Sequence, residues 1–316
     1  MRELALRPKA TPMRDANRLN TALLLTAVVS GFALTALIDS RVSFALAPGI
    51  STVTDATGAE VAVREYSRIV SASIIADQVL VEIVDPARLL AVSAHTLRTR
   101  KSDAYADKIG VERAQDIETI IELRPDIVFI NSFVDRRHVE RLKDARLNVF
   151  DMGEMRGLET LPANIRRVAA VVGVPERGER LAKALLEDLA AISKDIDDAD
   201  RKRGLYVGIH GDRLYGGTVG SSFHDVLVAG GVIDVAAKAG FRSWPAFTNE
   251  QLLSLDPPWV ITNPGTEEAL CRHPGLQSLR ACKLGQVRSV DTDLLTDPGL
   301  GMMEAARAVR AAVYGK

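Results

Sequence analysis

Hydrophobic positions in this chain fall into short unbroken runs that alternate with stripes of helical spacing. Val53-Thr-Asp-Ala-Thr-Gly-Ala-Glu-Val61 predicts a strand, a tight turn at Gly58 and a second strand. Beyond it, Arg68-Ile-Val-Ser71, Leu89-Leu-Ala-Val92, Ile127-Val-Phe-Ile130 and Asn148-Val-Phe150 read as buried strands. Between them, Ala76, Val79, Leu80 and Ile83 share one helical face, Asp116 to Leu123 predicts a helix stopped by Pro125, and Val139 to Ala145 predicts another. Leu161, Ile165, Val168 and Val172 mark a further helix with Pro162 in its first turn. A single stripe of Leu181, Leu185, Leu189, Ile192 and Ile196 follows, predicting a helix from Glu176 to about Asp198. It would be roughly 34 Å long and has no strand partner of its own. The alternation restarts at Leu205-Tyr-Val-Gly-Ile209, continues through a helix from Ser222, and ends in a helix near Gly301 to Val313. Strand–helix alternation of this kind implies parallel sheets covered by helices on both faces.

The pattern repeats once. Asp116-Ile-Glu-Thr-Ile-Ile-Glu-Leu-Arg-Pro-Asp-Ile-Val-Phe-Ile-Asn131 aligns with Thr248-Asn-Glu-Gln-Leu-Leu-Ser-Leu-Asp-Pro-Pro-Trp-Val-Ile-Thr-Asn263, with Glu, Leu, Pro, Val and Asn coinciding. Each copy reads helix, proline stop, buried strand, polar strand end. One copy on each side of a lone long helix predicts an α/β fold of two similar α/β lobes, with parallel-type sheets, joined by a single long inter-lobe helix. The expected divisions are 1–47 as a signal peptide or N-terminal anchor, 48–174 as the first lobe, 175–203 as the inter-lobe helix and 204–316 as the second lobe. Open α/β sheets bind ligands beyond the carboxyl ends of their strands. That rule puts the site in the cleft between lobes. Its candidates are Ser73, His95, Asn131, Phe133 and Met152 from the first lobe, and His210, Arg213, Tyr215 and Asn263 from the second.

The N-terminus changes the compartment. Arg2, Arg7, Lys9, Arg14 and Arg18 stand against Glu3 and Asp15, and an uncharged apolar run extends from Thr21 to Ile38. A positive n-region before an h-region reads as an export signal. The run is also about the minimum length that spans a bilayer, so an uncleaved anchor is the rival. Ala45-Leu-Ala47 and Ser43-Phe-Ala45 are the candidate cleavage sites, although Pro48 would follow the first. Either reading places the rest of the chain outside the cytoplasm. There Cys271 and Cys282, which enclose a short loop, become a candidate disulfide, with two separate thiols as the alternative. Lys+Arg of 40 against Asp+Glu of 41 leaves no basic field to hold nucleic acid.

The order and spacing of these segments resemble the substrate-binding proteins of bacterial ABC importers. The closest class has one rigid inter-lobe helix and binds iron complexes and cobalamin. Val53-Thr-Asp-Ala-Thr-Gly58, Arg68-Ile-Val-Ser71, Asp116 to Asp126 and Trp244-Pro-Ala-Phe-Thr-Asn-Glu-Gln-Leu-Leu253 carry the resemblance, which covers about residues 52–314. It implies a non-enzymatic, monomeric carrier that hands a metal chelate to permease and ATPase subunits, with no cofactor of its own beyond iron or cobalt in the ligand. It implies that Glu118 and Glu250, the repeat-related pair, dock on the permease. Ordinary helix N-terminal glutamates are the plainer reading of the same two residues. Trp244-Pro245 matches a Trp-Pro pair at the cleft of the cobalamin-binding member, which predicts an aromatic face for stacking on a planar ring; a Trp partly buried in the lobe core is the plainer reading. The haem-binding branch carries a tyrosine shortly before the first docking glutamate. Here Val111 stands at that place, with Tyr105 nearby.

Other chemistry finds less support in the sequence. The five histidines, His95, His138, His210, His224 and His273, show no metal-ligand spacing, and His138 and His224 read as ordinary helix residues. A zinc or manganese carrier would need His95, His210 and a carboxylate to converge. Arg98, Arg100, Lys101, Arg136, Arg137, Arg213 and Arg242 would suit an anionic ferric chelate if they met at the cleft. Gly216-Gly-Thr-Val-Gly-Ser-Ser222 lacks the lysine of a phosphate loop, and Ser221 or Ser222 reads as a helix cap. No G-x-S-x-G elbow and no H-E-x-x-H motif occurs. The expectation is an exported carrier of an iron complex or corrinoid. The alternatives are a membrane-tethered ligand sensor, a direct zinc or manganese carrier, and an exported metal-dependent hydrolase.

Overall fold

The computed structural model describes residues 51–315, except 101, 113–115 and 133. The expected signal or anchor over 1–47 lies outside the described residues. Among those described, no helix is long and apolar enough to cross a membrane.

The chain enters through an antiparallel hairpin, Thr52–Thr54 (β1) and Glu60–Ala62 (β2). Asp55 shapes its turn by accepting the N–H groups of Thr57 and Ala59 at 2.7 and 2.9 Å, and Gly58 supplies the left-handed residue at φ +87°. Then come Ile69–Ser71 (β3), Ile74–Ile83 (α1), Leu89–Ser93 (β4), Ala94–Thr99 (α2), Ile109–Val111 (β5), Ile117–Glu122 (α3), Ile127–Ile130 (β6), Arg136–Asp144 (α4), Val149–Asp151 (β7) and Leu161–Val171 (α5). The five strands after the hairpin form one parallel sheet in the order β5-β4-β3-β6-β7. The order reverses between β3 and β6, which makes that pair the switch point of the first lobe.

Pro175–Ile192 (α6) crosses to the second lobe. There follow Lys202–Tyr206 (β8), Gly208–His210 (β9), Arg213–Tyr215 (β10), Ser222–Ala229 (α7), Val232–Asp234 (β11), Val235–Lys238 (α8), Ala246–Phe247 (β12), Asn249–Leu255 (α9), Trp259–Thr262 (β13), Glu267–Arg272 (α10), Arg280–Lys283 (α11), Val287–Ser289 (β14), Thr292–Leu295 (α12) and Met302–Tyr314 (α13). Four strands form a parallel sheet in the order β11-β8-β13-β14, with its switch between β8 and β13. The sequence repeat is structural: α3 and β6 recur as α9 and β13. Even the turns correspond, since Arg124 and Asp256, each just before a proline, are both left-handed at φ 46° and 38°. Cys271 and Cys282 are joined by a disulfide that ties α10 to α11.

Two elements depart from the sequence pattern. The run Leu205–Ile209 is not one strand: β8 ends at Tyr206, and β9 turns back through Gly211-Asp212 into β10, forming with β12 a separate antiparallel ribbon. A glycine at φ +59° opens that two-residue turn. The inter-lobe helix stops at Ile192, not Asp198, and so is about 27 Å long. Asp195, Asp197, Asp198 and Asp200 oppose the negative end of a helix dipole, and Arg310 of α13 caps the Ile192 carbonyl while pairing with Asp195 at 2.7 Å.

One apolar cluster runs through both lobes. It joins Ile75, Val79 and Ile83 of α1 and Ile165 and Val168 of α5 to Leu185 and Leu189 of α6, then to Tyr206, Phe223, Ala305 and Val309 of the second lobe. The helix is therefore wedged between the lobes and not strung between them. Arg177 near its start donates to the Ile83 carbonyl at 2.7 Å, and Gly178 lets it approach α5 closely. A Cβ at Gly178 would lie 2.3 Å from that of Ala169. Gly178→Val should therefore cost about 2–3 kcal/mol through overpacking, read as a lower urea midpoint with an unchanged slope.

Candidate functional site

Both switch points open into a cleft, and each is built the same way. In the first lobe, Asn131 follows β6 and donates to the Ser73 hydroxyl just after β3, at 3.1 Å. In the second, Asn263 follows β13 and accepts from the Tyr206 hydroxyl at the end of β8, at 3.2 Å. A parallel strand end leaves its last carbonyls and side chains facing outward. An asparagine on the later strand, bonded to a hydroxyl on the earlier one, fixes the polar edge of each sheet.

The cleft has two chambers on a common floor of Met155, Thr296 and Pro298. The second-lobe chamber, about 390 Å³, is aromatic: Tyr206, Tyr215, Phe223 and Trp244 line it together with Ile209, His210 and Asn263. Its rings form a ladder, with Tyr206 4.2 Å from Phe223 and Phe223 5.0 Å from Trp244, the last pair nearly perpendicular at 80°. Trp244 is 56% exposed, unusual for so large an apolar residue. Burial raises the Tyr206 phenol above its ordinary range, so it stays a neutral hydroxyl. The first-lobe chamber, about 420 Å³, is the more polar: Ser93, His95, Arg98, Glu112 and Asn131 line it beside Ala72, Ile74 and Val111. Arg98 pairs with Glu112 at 2.6 Å, an exposed pair that a ligand anion can displace. Asn131 also reaches the Met155 sulfur at 3.6 Å, so the same amide holds the floor.

The candidates read from the sequence divide clearly. His95, Asn131, His210, Tyr215, Trp244 and Asn263 line the cleft. Ser73 is buried behind Asn131. Phe133 lies outside the described residues. Met152 is not at the cleft: its N–H continues the β7 pairing to Ile130, and its side chain enters the core. Met155, three residues on, takes the place expected of it. Arg213 sits exposed at the tip of the β9–β10 hairpin, outside the cleft lining. Of the arginines proposed to converge, Arg98 lines the cleft, Arg100 is paired with Asp297 and Arg137 with Asp135, while Lys101 lies outside the described residues. Tyr105 is buried in the core. Ser221 is the residue before α7 but does not cap it; its hydroxyl donates back to the Thr218 carbonyl at 2.7 Å. His224 is no plain helix residue, since Nδ1 meets the buried Asp234 carboxylate at 2.8 Å. No three His, Cys, Asp or Glu side chains converge as a metal site among the described residues.

The sequence pattern of periplasmic binding proteins matches residues 69–294, most of the chain. The chain belongs to the periplasmic binding protein family. Similar to this family member is an uncharacterised ABC transporter substrate-binding lipoprotein of Bacillus subtilis, YvrC, 23% identical over 67% of this chain and 71% of that one. The vitamin B12-binding protein of Salmonella choleraesuis is 24% identical over 49% of this chain and 58% of its own length. The fold matches the periplasmic heme-binding protein RhuT of Roseiflexus sp. RS-1 with a TM-score of 0.65, at 20% identity, over 79% of this chain and 98% of that one. Two lobes about one helix are thus the arrangement this periplasmic binding protein shares with its solved neighbours.

Behind the first-lobe chamber lies a fully buried carboxylate, Asp77 of α1. Burial raises its pKa to about 6, against the pull of hydrogen bonds from Ser71, Thr96 and Ser93. A carboxylate raised in the folded state contributes most stability at low pH and loses that contribution as pH rises through about 6. Asp77→Asn should therefore gain stability relative to the parent between about pH 4 and about pH 8, by about 2 kcal/mol, in urea unfolding followed at both pH values.

Proposed function

We propose that this protein captures a flat metal macrocycle, corrinoid or haem-like, outside the cytoplasm and delivers it to an ABC permease and its ATPase. The observation that carries this reading is the division of one cleft into an aromatic chamber and a polar, arginine-bearing chamber on a shared floor. A planar ring would lay its apolar face along Tyr206, Phe223 and Trp244. Its acidic or amide substituents would meet Arg98, His95 and the two asparagines. Chambers of about 390 and 420 Å³ take an organic ligand and are far larger than a lone ion requires. The vitamin B12-binding and heme-binding relatives support the same ligand class. The N-terminal segment acts in this reading as the export signal or as an anchor to the membrane.

Glu118 and Glu250 serve as the permease contacts. Both are exposed near the start of α3 and α9, the repeated helices, and so offer one carboxylate per lobe. Glu118 is paired with Arg141 at 3.4 Å, an exposed pair weak enough to exchange for a partner arginine.

Two experiments test the proposal. Titration of the exported part with cobalamin, haem and a ferric siderophore should give saturable tryptophan quenching by one of the macrocycles. Trp244→Phe should remove most of the quenching while calorimetry still detects binding. Quenching by the siderophore alone would replace the macrocycle as ligand, and silence with all three would end the carrier reading. Reversal of both Glu118 and Glu250 to Lys should abolish uptake while leaving ligand affinity within about threefold, a shift under ~1 kcal/mol. Undiminished uptake would remove the docking assignment.

A further inference from the structure

Helix α2 forms the wall of the first-lobe chamber and presents His95 and Arg98 to it. It is six residues long, too short to hold itself, and it is pinned at both ends by buried carboxylates. At its start, Asp77 Oδ2 accepts the Ser93 N–H at 3.1 Å and the Thr96 hydroxyl at 2.6 Å, while the Ser93 hydroxyl accepts the Thr96 N–H. At its end, Arg100 pairs with Asp297, which also accepts from Gln78 at 2.7 Å and from the Gly299 N–H at 2.7 Å. Asp297 lies between Thr296 and Pro298, the two floor residues contributed by the second lobe. Asp77 and Gln78 are neighbours on α1. One turn of α1 therefore holds the chamber wall on one side and the cleft floor on the other.

We propose that Asp77 is a proton-linked positioning residue, which holds α2 in its ligand-ready place when ionised and loosens it when protonated. Its other oxygen, Oδ1, is buried with no hydrogen-bond partner, so the ionised form is costly and a proton relieves it. Its titration range, about 6, lies within reach of ordinary changes in pH. The groups facing it are Ser71 from β3, Ser93 and Thr96 at the entry to α2, and the buried phenol of Tyr105, which in turn feels Arg100 and Glu82. Among the described residues, no basic side chain bonds to it. The ionised carboxylate makes charge-assisted bonds to Ser93 and Thr96; the bonds to the neutral acid are weaker and hold α2 less tightly. Stability and ligand affinity should then run in opposite directions. Acidification through about pH 6 relieves the buried charge, yet frees the wall that carries His95 and Arg98.

The ligand arm of the test rests on the cleft reading above; the ligand-free arm does not. Without ligand, the backbone amide signals of Ser93, Thr96 and Arg98 should titrate together with one inflection. In Asp77→Asn that inflection should vanish while the remaining spectrum stays dispersed. A His95→Gln background removes the imidazole's own titration from the readout. Thr96→Val, which deletes one of the two bonds and keeps Asp77, should displace the Arg98 signal toward its low-pH position. With cobalamin and, separately, haem, affinity for the one that binds should fall about threefold on acidification, and Asp77→Asn should hold the weaker value at every pH. Wild-type inflections persisting in Asp77→Asn, or affinity rising together with stability on acidification, would overturn the proposal. Absence of binding by both ligands at every pH would count against the cleft reading, and the amide titration would still decide the role of Asp77.

Discussion

Close packing of α6 against α5, on a core continuous through both lobes, is the constraint from which the rest of the structure follows. Were α6 an exposed tether, the two sheets would be independent domains and the cleft an accident of their orientation. Instead, its Leu185 and Leu189 lie in the same apolar cluster as residues of both lobes, and Arg177 and Arg310 tie its ends to the neighbouring helices. Opening the lobes by a large angle would expose part of that cluster to water, at about 25 cal/mol for each Å². A cleft built on such a spacer is largely formed before any ligand arrives.

The walls are where the lobes differ. Duplication supplies each with the same frame: a switch point, an asparagine after the later strand and a hydroxyl after the earlier one. On that frame the first lobe places a short polar helix, and the second places an antiparallel ribbon and an aromatic ladder. A ligand with one apolar face and one polar edge meets a complementary surface on each side. On the proposed function, specificity comes from the pairing of unlike halves and not from either alone.

Buried polar groups concentrate where mobile pieces must be held. Asp77, Gln78 and Asp297 occupy the seam between the wall helix, α1 and the C-terminal segment, a place where apolar packing alone would leave a six-residue helix free to slide. Asp234 plays a comparable part in the second lobe, accepting from Thr218, His224 and the first amides of α8. Such groups are costly to bury and specify a geometry in return. On the proposal above, Asp77 is the group through which a proton reaches the cleft without touching the ligand.

Much of this was written locally in the chain. The period of the apolar residues determined the strand–helix alternation, and the repeated frame Glu-x-Ile-Ile/Glu-x-Leu-Leu with its proline stop determined that two like lobes exist. The asparagines at the strand ends followed from the direction of a parallel strand. Local pattern also misled where tertiary partners decided. The pattern of Leu205–Ile209 does not show that the chain turns back after Tyr206 to build a ribbon. The leucine stripe of α6 continues to Ile196, yet Arg310, far away in sequence, caps the helix at Ile192. Met152 and Met155 are alike by composition, and only the sheet's pairing sends the first inward and leaves the second on the floor. Asp77, Gln78 and Asp297 are unremarkable polar letters in a sequence. Periodicity records which side of an element is buried, because burial is a property of one element against solvent; which polar group meets which is a property of elements brought together, and only the folded chain decides it.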